Sequence, residues 1–147
     1  MISVLLVDDH ASLRKSLRYL LEATNDIKVV AEASNGNDAL FHVSSSCPDV
    51  AVIDISMPQM DGLETTRQIH VRCRFTRVII LSIHDNPAYV QRSLEIGALG
   101  YVLKDTIVSD LIEAVRTVHE GKHYFSLRIA EIGKKYSSWK GNDSWAV

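Results

Sequence analysis

At 147 residues, 46% hydrophobic and 23% charged, the chain has enough apolar material for one compact domain with a real core. Its formal net charge of -2 offers no global attraction for nucleic acid or an anionic membrane. No apolar run approaches the ~20 residues a membrane helix needs, and Met1-Ile2-Ser3-Val4 has neither a charged leader nor a cleavage site, so a cytoplasmic protein is expected.

Ile2 to Val7 is a near-continuous apolar run, hence a buried strand, and it ends on Asp8-Asp9. From Ala11 the period changes. Leu13, Leu17, Leu20 and Leu21 share one helical face opposite Arg14, Lys15 and Arg18. Ile27 to Ala33, with β-branched Val29 and Val30, predicts a second strand. Ser34-Asn35-Gly36-Asn37 opens a helix whose apolar side is Ala39, Leu40 and Val43, and Ser44-Ser45-Ser46 with Pro48 closes it. Cys47 and Cys73 have no metal-type spacing and read as free thiols of a reducing cytoplasm.

Val50-Ala51-Val52-Ile53 predicts a fully buried strand that ends on Asp54. Met57-Pro58 then forces an extended or turned backbone, and Asp61-Gly62 leads into a third helix carrying Leu63, Thr66, Ile69 and His70. Arg77 to Leu81 is the fourth strand and stops at Ser82. Asp85-Asn86-Pro87 combines a cap with a first-turn proline; the helix carries Val90, Leu94 and Ile96 and ends at Gly97. Leu99 to Leu103, with Tyr101, is the fifth strand and ends on Lys104. Ile107, Leu111, Ala114, Val115 and Val118 outline a last strong helix, closed by Gly121.

Five strands alternating with five helices define an α/β protein with a doubly wound parallel sheet of flavodoxin-like order 2-1-3-4-5. That order brings Asp8, Asp9 and Asp54 to one switch point at the carboxyl ends of the strands, beside Ser82 and Lys104. Three crowded carboxylates raise the pKa of at least one of them unless a cation compensates. An all-oxygen, carboxylate-rich set suits Mg²⁺. A carboxylate nucleophile, a divalent cation, a lysine and a hydroxyl together describe phosphoryl transfer to aspartate. Each feature also has a plain structural reading: Asp8-Asp9 as a helix cap, Lys104 as half of a solvated ion pair. Their coincidence at one sheet edge favours the functional one.

Leu6-Val7-Asp8-Asp9-His10, Asp54-Ile55-Ser56-Met57-Pro58-Gln59-Met60-Asp61-Gly62, Ser82 and Gly100-Tyr101-Val102-Leu103-Lys104-Asp105 resemble a bacterial two-component response-regulator receiver domain. The Asp-Asp-His opening, the Gly-Tyr-Val-Leu-Lys-Asp strand and Gly121-Lys122-His123-Tyr124-Phe125-Ser126 resemble the NarL/FixJ-type subfamily. The resemblance implies that Asp54 accepts a phosphoryl group from a sensor histidine kinase. Asp9, Asp54 and the Ser56 carbonyl would ligate Mg²⁺, with Asp8 acting mostly through a metal-bound water. Lys104 and Ser82 would hold phosphoryl oxygens, and Tyr101 would be the aromatic switch that follows Ser82. Ser56 and His84, each two residues beyond a site residue, would tune the lifetime of the phosphoryl group; His84 reads equally well as a surface-loop histidine. The other histidines show no ligand spacing, with His10 near the site mouth. Asp105 stands where many receivers have proline, so a trans peptide is expected there.

The receiver is expected to span residues 1–126, with 127–147 a short helix and linker tail. Leu127, Ile129, Ala130 and Ile132 predict the helix; Lys134, Lys135, Lys140, Trp139 and Trp145 follow. Subfamily members continue into a helix-turn-helix domain, but no recognition-helix pattern occurs in 127–147, so DNA is expected as a partner only through a domain absent from this chain. The expectation is a signalling switch, with self-phosphorylation and slow self-dephosphorylation but no enzymatic turnover, and with a possible homodimer as output. The alternatives are a stand-alone phosphorelay or protein-interaction receiver, and a small Mg²⁺-dependent aspartyl-phosphate hydrolase.

Overall fold

The computed structural model describes residues 1–135; Trp139, Lys140 and Trp145 lie outside them. Strands β1 (Ile2–Val7), β2 (Ile27–Ala33), β3 (Val50–Asp54), β4 (Arg77–Ser82) and β5 (Gly100–Leu103) alternate with helices α1 (Ala11–Glu22), α2 (Gly36–Ser45), α3 (Gly62–Arg72), α4 (Pro87–Glu95) and α5 (Ile107–His119). A sixth strand, β6 (Tyr124–Phe125), and a sixth helix, α6 (Leu127–Lys135), follow. All pairings are parallel, in the order β2-β1-β3-β4-β5-β6. The flavodoxin-like order therefore stands, but the expected five strands and five helices become six of each among the described residues. A two-residue strand shows no periodicity to read. β6 exists because Tyr124 and Phe125 complete the open edge of β5 by backbone pairing.

Strand side chains alternate between two faces, and each face has its own core. Leu5, Val7, Ala51, Ile53 and Ile80 pack with Ala39, Leu40 and Val43 of α2, Ile69 of α3 and Val90 of α4. Val4, Leu6, Val50, Val52, Ile79 and Leu81 pack with Leu17 and Leu21 of α1 and with Leu111, Ala114, Val115 and Val118 of α5. A sheet covered on both sides explains why the strands read as unbroken apolar runs. Ile129 and Ala130 of α6 join the first of these cores, so the helix expected after Ser126 is seated on the sheet.

The helix starts match their sequence signals. Asn35 accepts a hydrogen bond from the Asp38 N–H, Asp61 from the Glu64 N–H and Asn86 from the Ala88 N–H, each satisfying a donor left open at a helix N-terminus. Gly121, at φ +84, ends α5 through its N–H to the Val118 carbonyl.

One expectation fails outright. Cys47 and Cys73 are not free thiols: they form a disulfide, with their Cα atoms 5.6 Å apart. The two lie 26 residues apart in sequence, but α2 and α3 pack side by side and bring the segment after α2 to the end of α3. Spacing along the chain carried no trace of that approach.

Candidate functional site

The site forms where β1 and β3 end. β1 pairs β3 from Val4↔Val50 to Val7↔Ile53, and this register sets Asp8 beside Asp54. Both are buried, with side chains 2% exposed, whereas Asp9 is exposed. Lys104, immediately after β5, reaches across so that its Nζ lies 3.2 Å from Asp54 Oδ2 and 3.3 Å from Asp8 Oδ2. The sheet therefore converges the two carboxylates and the lysine that the sequence places at separate strand ends.

The loop after Asp54 is held tightly. The Ser56 N–H donates to Asp54 Oδ1 at 3.2 Å, the Ile55 N–H to the Leu81 carbonyl, and the Gly62 N–H to the Ile55 carbonyl. A Cβ on Gly62 would collide with the Asp54 carbonyl and the Ile55 Cα, so only glycine lets α3 begin this close to the end of β3. Gln59 takes the left-handed conformation at φ +70, which completes the turn after Pro58.

Burial is the main cause that raises the Asp54 pKa above the ordinary carboxylate value. The Asp8 charge adds to it, while Lys104 and the Ser56 N–H offset part of it. Lys104 is shared by the two buried carboxylates, and Asp9 adds a third at the same edge. Asp8 Oδ2 and Asp54 Oδ2 are buried, and neither has a partner that meets hydrogen-bond geometry. Ligand atoms of Asp8, Asp9, His10 and Asp54 lie within 4.8 Å of one another. Clustered carboxylates whose buried oxygens have only Lys104 as an ionic neighbour, and a hard oxygen donor set, fit a divalent cation.

Ser82, Tyr101 and His84 form a second group. Ser82 is fully buried, and its Oγ accepts the His84 N–H at 2.8 Å. Tyr101 is also fully buried and donates its hydroxyl to the His84 carbonyl at 2.8 Å. Burial pushes the Tyr101 phenol up to about 12. The His84 backbone thus bridges the two switch candidates, while its imidazole stacks on Tyr89, with ring centroids 4.4 Å apart. Asp105 follows Lys104 within a short 3₁₀ turn, Lys104–Thr106, and no cis peptide bond occurs among the described residues.

Sequence reasoning undervalued two neighbours. The sequence sets His10 only near the site mouth, yet its Nδ1 lies 3.0 Å from Asp8 Oδ1. Arg14, one helical turn further on, donates to the Asp8 carbonyl at 2.6 Å and pairs with Glu32. The available signal was adjacency: His10 directly follows Asp9, and Arg14 lies four residues along the same helix start.

The architecture and this acidic edge define a class of signalling domain, and the comparisons agree. The family model for the response regulator receiver domain matches residues 4–116, and the chain belongs to that family. It is 38% identical over 131 residues to the response regulator UvrY of Escherichia coli K12, covering 89% of this chain and 60% of UvrY. It is 37% identical over 128 residues to the transcriptional regulatory protein DegU of Brevibacillus brevis, covering 87% of this chain and 54% of DegU. A LuxR-family two-component response regulator from Aurantimonas sp. SI85-9A1 superposes with a TM-score of 0.87 at 31% identity, over 92% of this chain and 98% of that one. These relatives set the receiver within the NarL/LuxR type. The chain spans between 54% and 60% of the length of the two curated relatives.

Proposed function

We propose that the chain is a phospho-accepting switch in which Asp54 takes a phosphoryl group from the phosphohistidine of a sensor histidine kinase. The observation that carries this reading is a buried Asp54 carboxylate 3.2 Å from Lys104 Nζ and beside Asp8, at the carboxyl edge of the sheet. Asp54 attacks phosphorus through a carboxylate oxygen, an O–P bond forms, and the P–N bond breaks with its electron pair returning to the imidazole. Lys104 supplies positive charge to the phosphoryl oxygens, and the Ser56 N–H steadies the acceptor carboxylate. Asp8, Asp9, Asp54 and the Ser56 carbonyl would hold Mg²⁺, which when bound neutralises charge on the transferred group.

Ser82, which ends β4 next to β3, would supply the hydroxyl that follows the phosphoryl oxygens. Moving its Oγ gives up the hydrogen bond to the His84 N–H, and the same residue's carbonyl receives the Tyr101 hydroxyl. Phosphorylation therefore biases one connected unit of Ser82, His84 and Tyr101, and through it partner or self-association. Transcriptional output would come through a DNA-binding domain outside this chain; the likeness to DegU, a transcriptional regulatory protein, supports that reading. The chain itself is a switch with slow self-dephosphorylation, not a turnover enzyme.

A small phosphodonor with Mg²⁺ is expected to label the wild type at one site, read by intact mass. Equal labelling of Asp54→Asn would sink the proposal. Decay of the same label reads the role of His84: His84→Ala is expected to change the rate, since its imidazole stands on the Tyr89 ring beside the switch. An unchanged rate would remove His84 from the mechanism.

A further inference from the structure

The phosphoryl-transfer scheme does not use the His10 side chain, which stands among the three carboxylates. It caps α1, and its own N–H donates to Asp8 Oδ1 at 2.8 Å, which ties its backbone to the carboxylate. Its Nδ1 then stands 3.0 Å from Asp8 Oδ1, 3.3 Å from Asp9 Oδ1 and 4.0 Å from Asp54 Oδ2. An ion held octahedrally by bonds of about 2.1 Å sets neighbouring ligand atoms about 3.0 Å apart and opposite ones about 4.2 Å apart. The Asp8 and Asp9 separations match neighbours in such a shell, and the Asp54 separation approaches the opposite position. The β1–β3 register already gathers the carboxylates, and the hydrogen bond to Asp8 sets the His10 imidazole among them, with Nδ1 at ligand-to-ligand spacing from Asp8 and Asp9.

We propose that His10 Nδ1 is a direct protein ligand in the cation site, and that it widens the preference of the site for borderline transition cations, above all Co²⁺ and Zn²⁺, over Mg²⁺. Imidazole nitrogen adds little for Mg²⁺, which is hard and keeps its waters. It strengthens binding along the series from Mn²⁺ through Co²⁺, and Zn²⁺ takes imidazole readily. Three carboxylates, two of them buried, supply the charge; the imidazole supplies the selectivity. This inference rests on the reading of Asp8, Asp9 and Asp54 as a divalent-cation site.

The His10 side chain is 63% exposed, so His10→Ala and His10→Asn leave the core untouched. Calorimetric titration of wild type and both variants with Mg²⁺, Mn²⁺, Co²⁺ and Zn²⁺, with the visible spectrum of the Co²⁺ form, tests the proposal. The expected result is Co²⁺ and Zn²⁺ affinity weakened by about tenfold or more, with Mg²⁺ affinity nearly unchanged and the Co²⁺ bands shifted. Equal losses for all four metals, or no loss for any, would overturn the role of His10. Asp54→Asn must weaken the same sites; Zn²⁺ binding insensitive to both His10 and Asp54 would place the metal elsewhere and also overturn it. A wild type that binds no divalent cation at all would remove the cation site itself. Mg²⁺ binding with Zn²⁺ affinity indifferent to His10 would remove only this inference.

Discussion

Asp54 carries its charge where the protein makes charge unfavourable. Its folded-state pKa is raised above the unfolded value. The stability linked to it is therefore fully present below the unfolded pKa and is lost as pH rises through the folded one. At pH 7 without a divalent cation, Asp54→Asn is thus expected to stabilise the fold by roughly 1 kcal/mol, visible as a melting temperature a few degrees higher in chelator. A lower melting temperature would mean that Lys104 outweighs burial and the Asp8 charge. Tyr101 follows the same sign at the other end of the scale. Burial pushes its phenol up to about 12 from the ordinary 10, so its contribution holds below pH 10 and is lost between pH 10 and pH 12. Tyr101→Phe removes the hydrogen bond to the His84 carbonyl and is expected to cost about 1 kcal/mol at neutral pH, because a partly buried acceptor loses its partner. The same variant flattens the alkaline fall, which urea melts from pH 8 to pH 12 would read.

Among the elements, α2 and α3 form the stapled pair. The Cys47–Cys73 disulfide closes a segment of 26 residues, and the chain-entropy model assigns such a loop about 3.5 kcal/mol. Cys47 is exposed and Cys73 buried, so Cys47→Ser breaks the link without burying a new hydroxyl. That variant, and the wild type in strong reductant, are expected to lose stability in equal measure. A Cys47→Ser protein as stable as the oxidised wild type would show that the bond adds nothing in solution. The staple joins the ends of α2 and α3 remote from Asp54, since Asp49 and Thr76 lead into β3 and β4 there. The acidic edge is accordingly expected to keep its phosphodonor reactivity after reduction.

At the scale of the whole molecule, the two-sided sheet explains how the strand ends can hold like charges together. Two apolar cores, one above and one below, hold β1 and β3 in fixed register, so Asp8 and Asp54 cannot separate without breaking the packing. A divalent cation bound at this edge would relieve the repulsion without movement. A cation that binds the folded chain stabilises it by about 2.7 kcal/mol at a hundredfold excess over its dissociation constant. Mg²⁺ is therefore expected to raise the melting temperature of the wild type, and to do so far less for Asp54→Asn. Equal gains in both would put the cation elsewhere on the surface. Among the described residues, no helix is long and apolar enough to cross a membrane.

The first five strands, the first five helices and their order were legible in the sequence because buried parallel strands and amphipathic helices leave separate periods, and because Asn35, Asp61, Asn86 and Gly121 punctuate them locally. The gathering of Asp8, Asp9, Asp54, Ser82 and Lys104 at one edge also followed, since strand order alone dictates which strand ends meet. Features that depend on approach between distant segments did not. The Cys47–Cys73 bond comes from α2 lying against α3, the two-residue β6 from an edge that had to be completed, and the seating of α6 from room left on one face of the sheet. The bridge from Ser82 through the His84 backbone to Tyr101, and the turn of His10 onto three carboxylates, are likewise matters of side-chain direction in three dimensions. Sequence by itself determined which strand ends meet at Asp54, because periodicity and strand order can be read locally. Only the tertiary structure decided the distances between them, because those depend on how both faces of the sheet are packed.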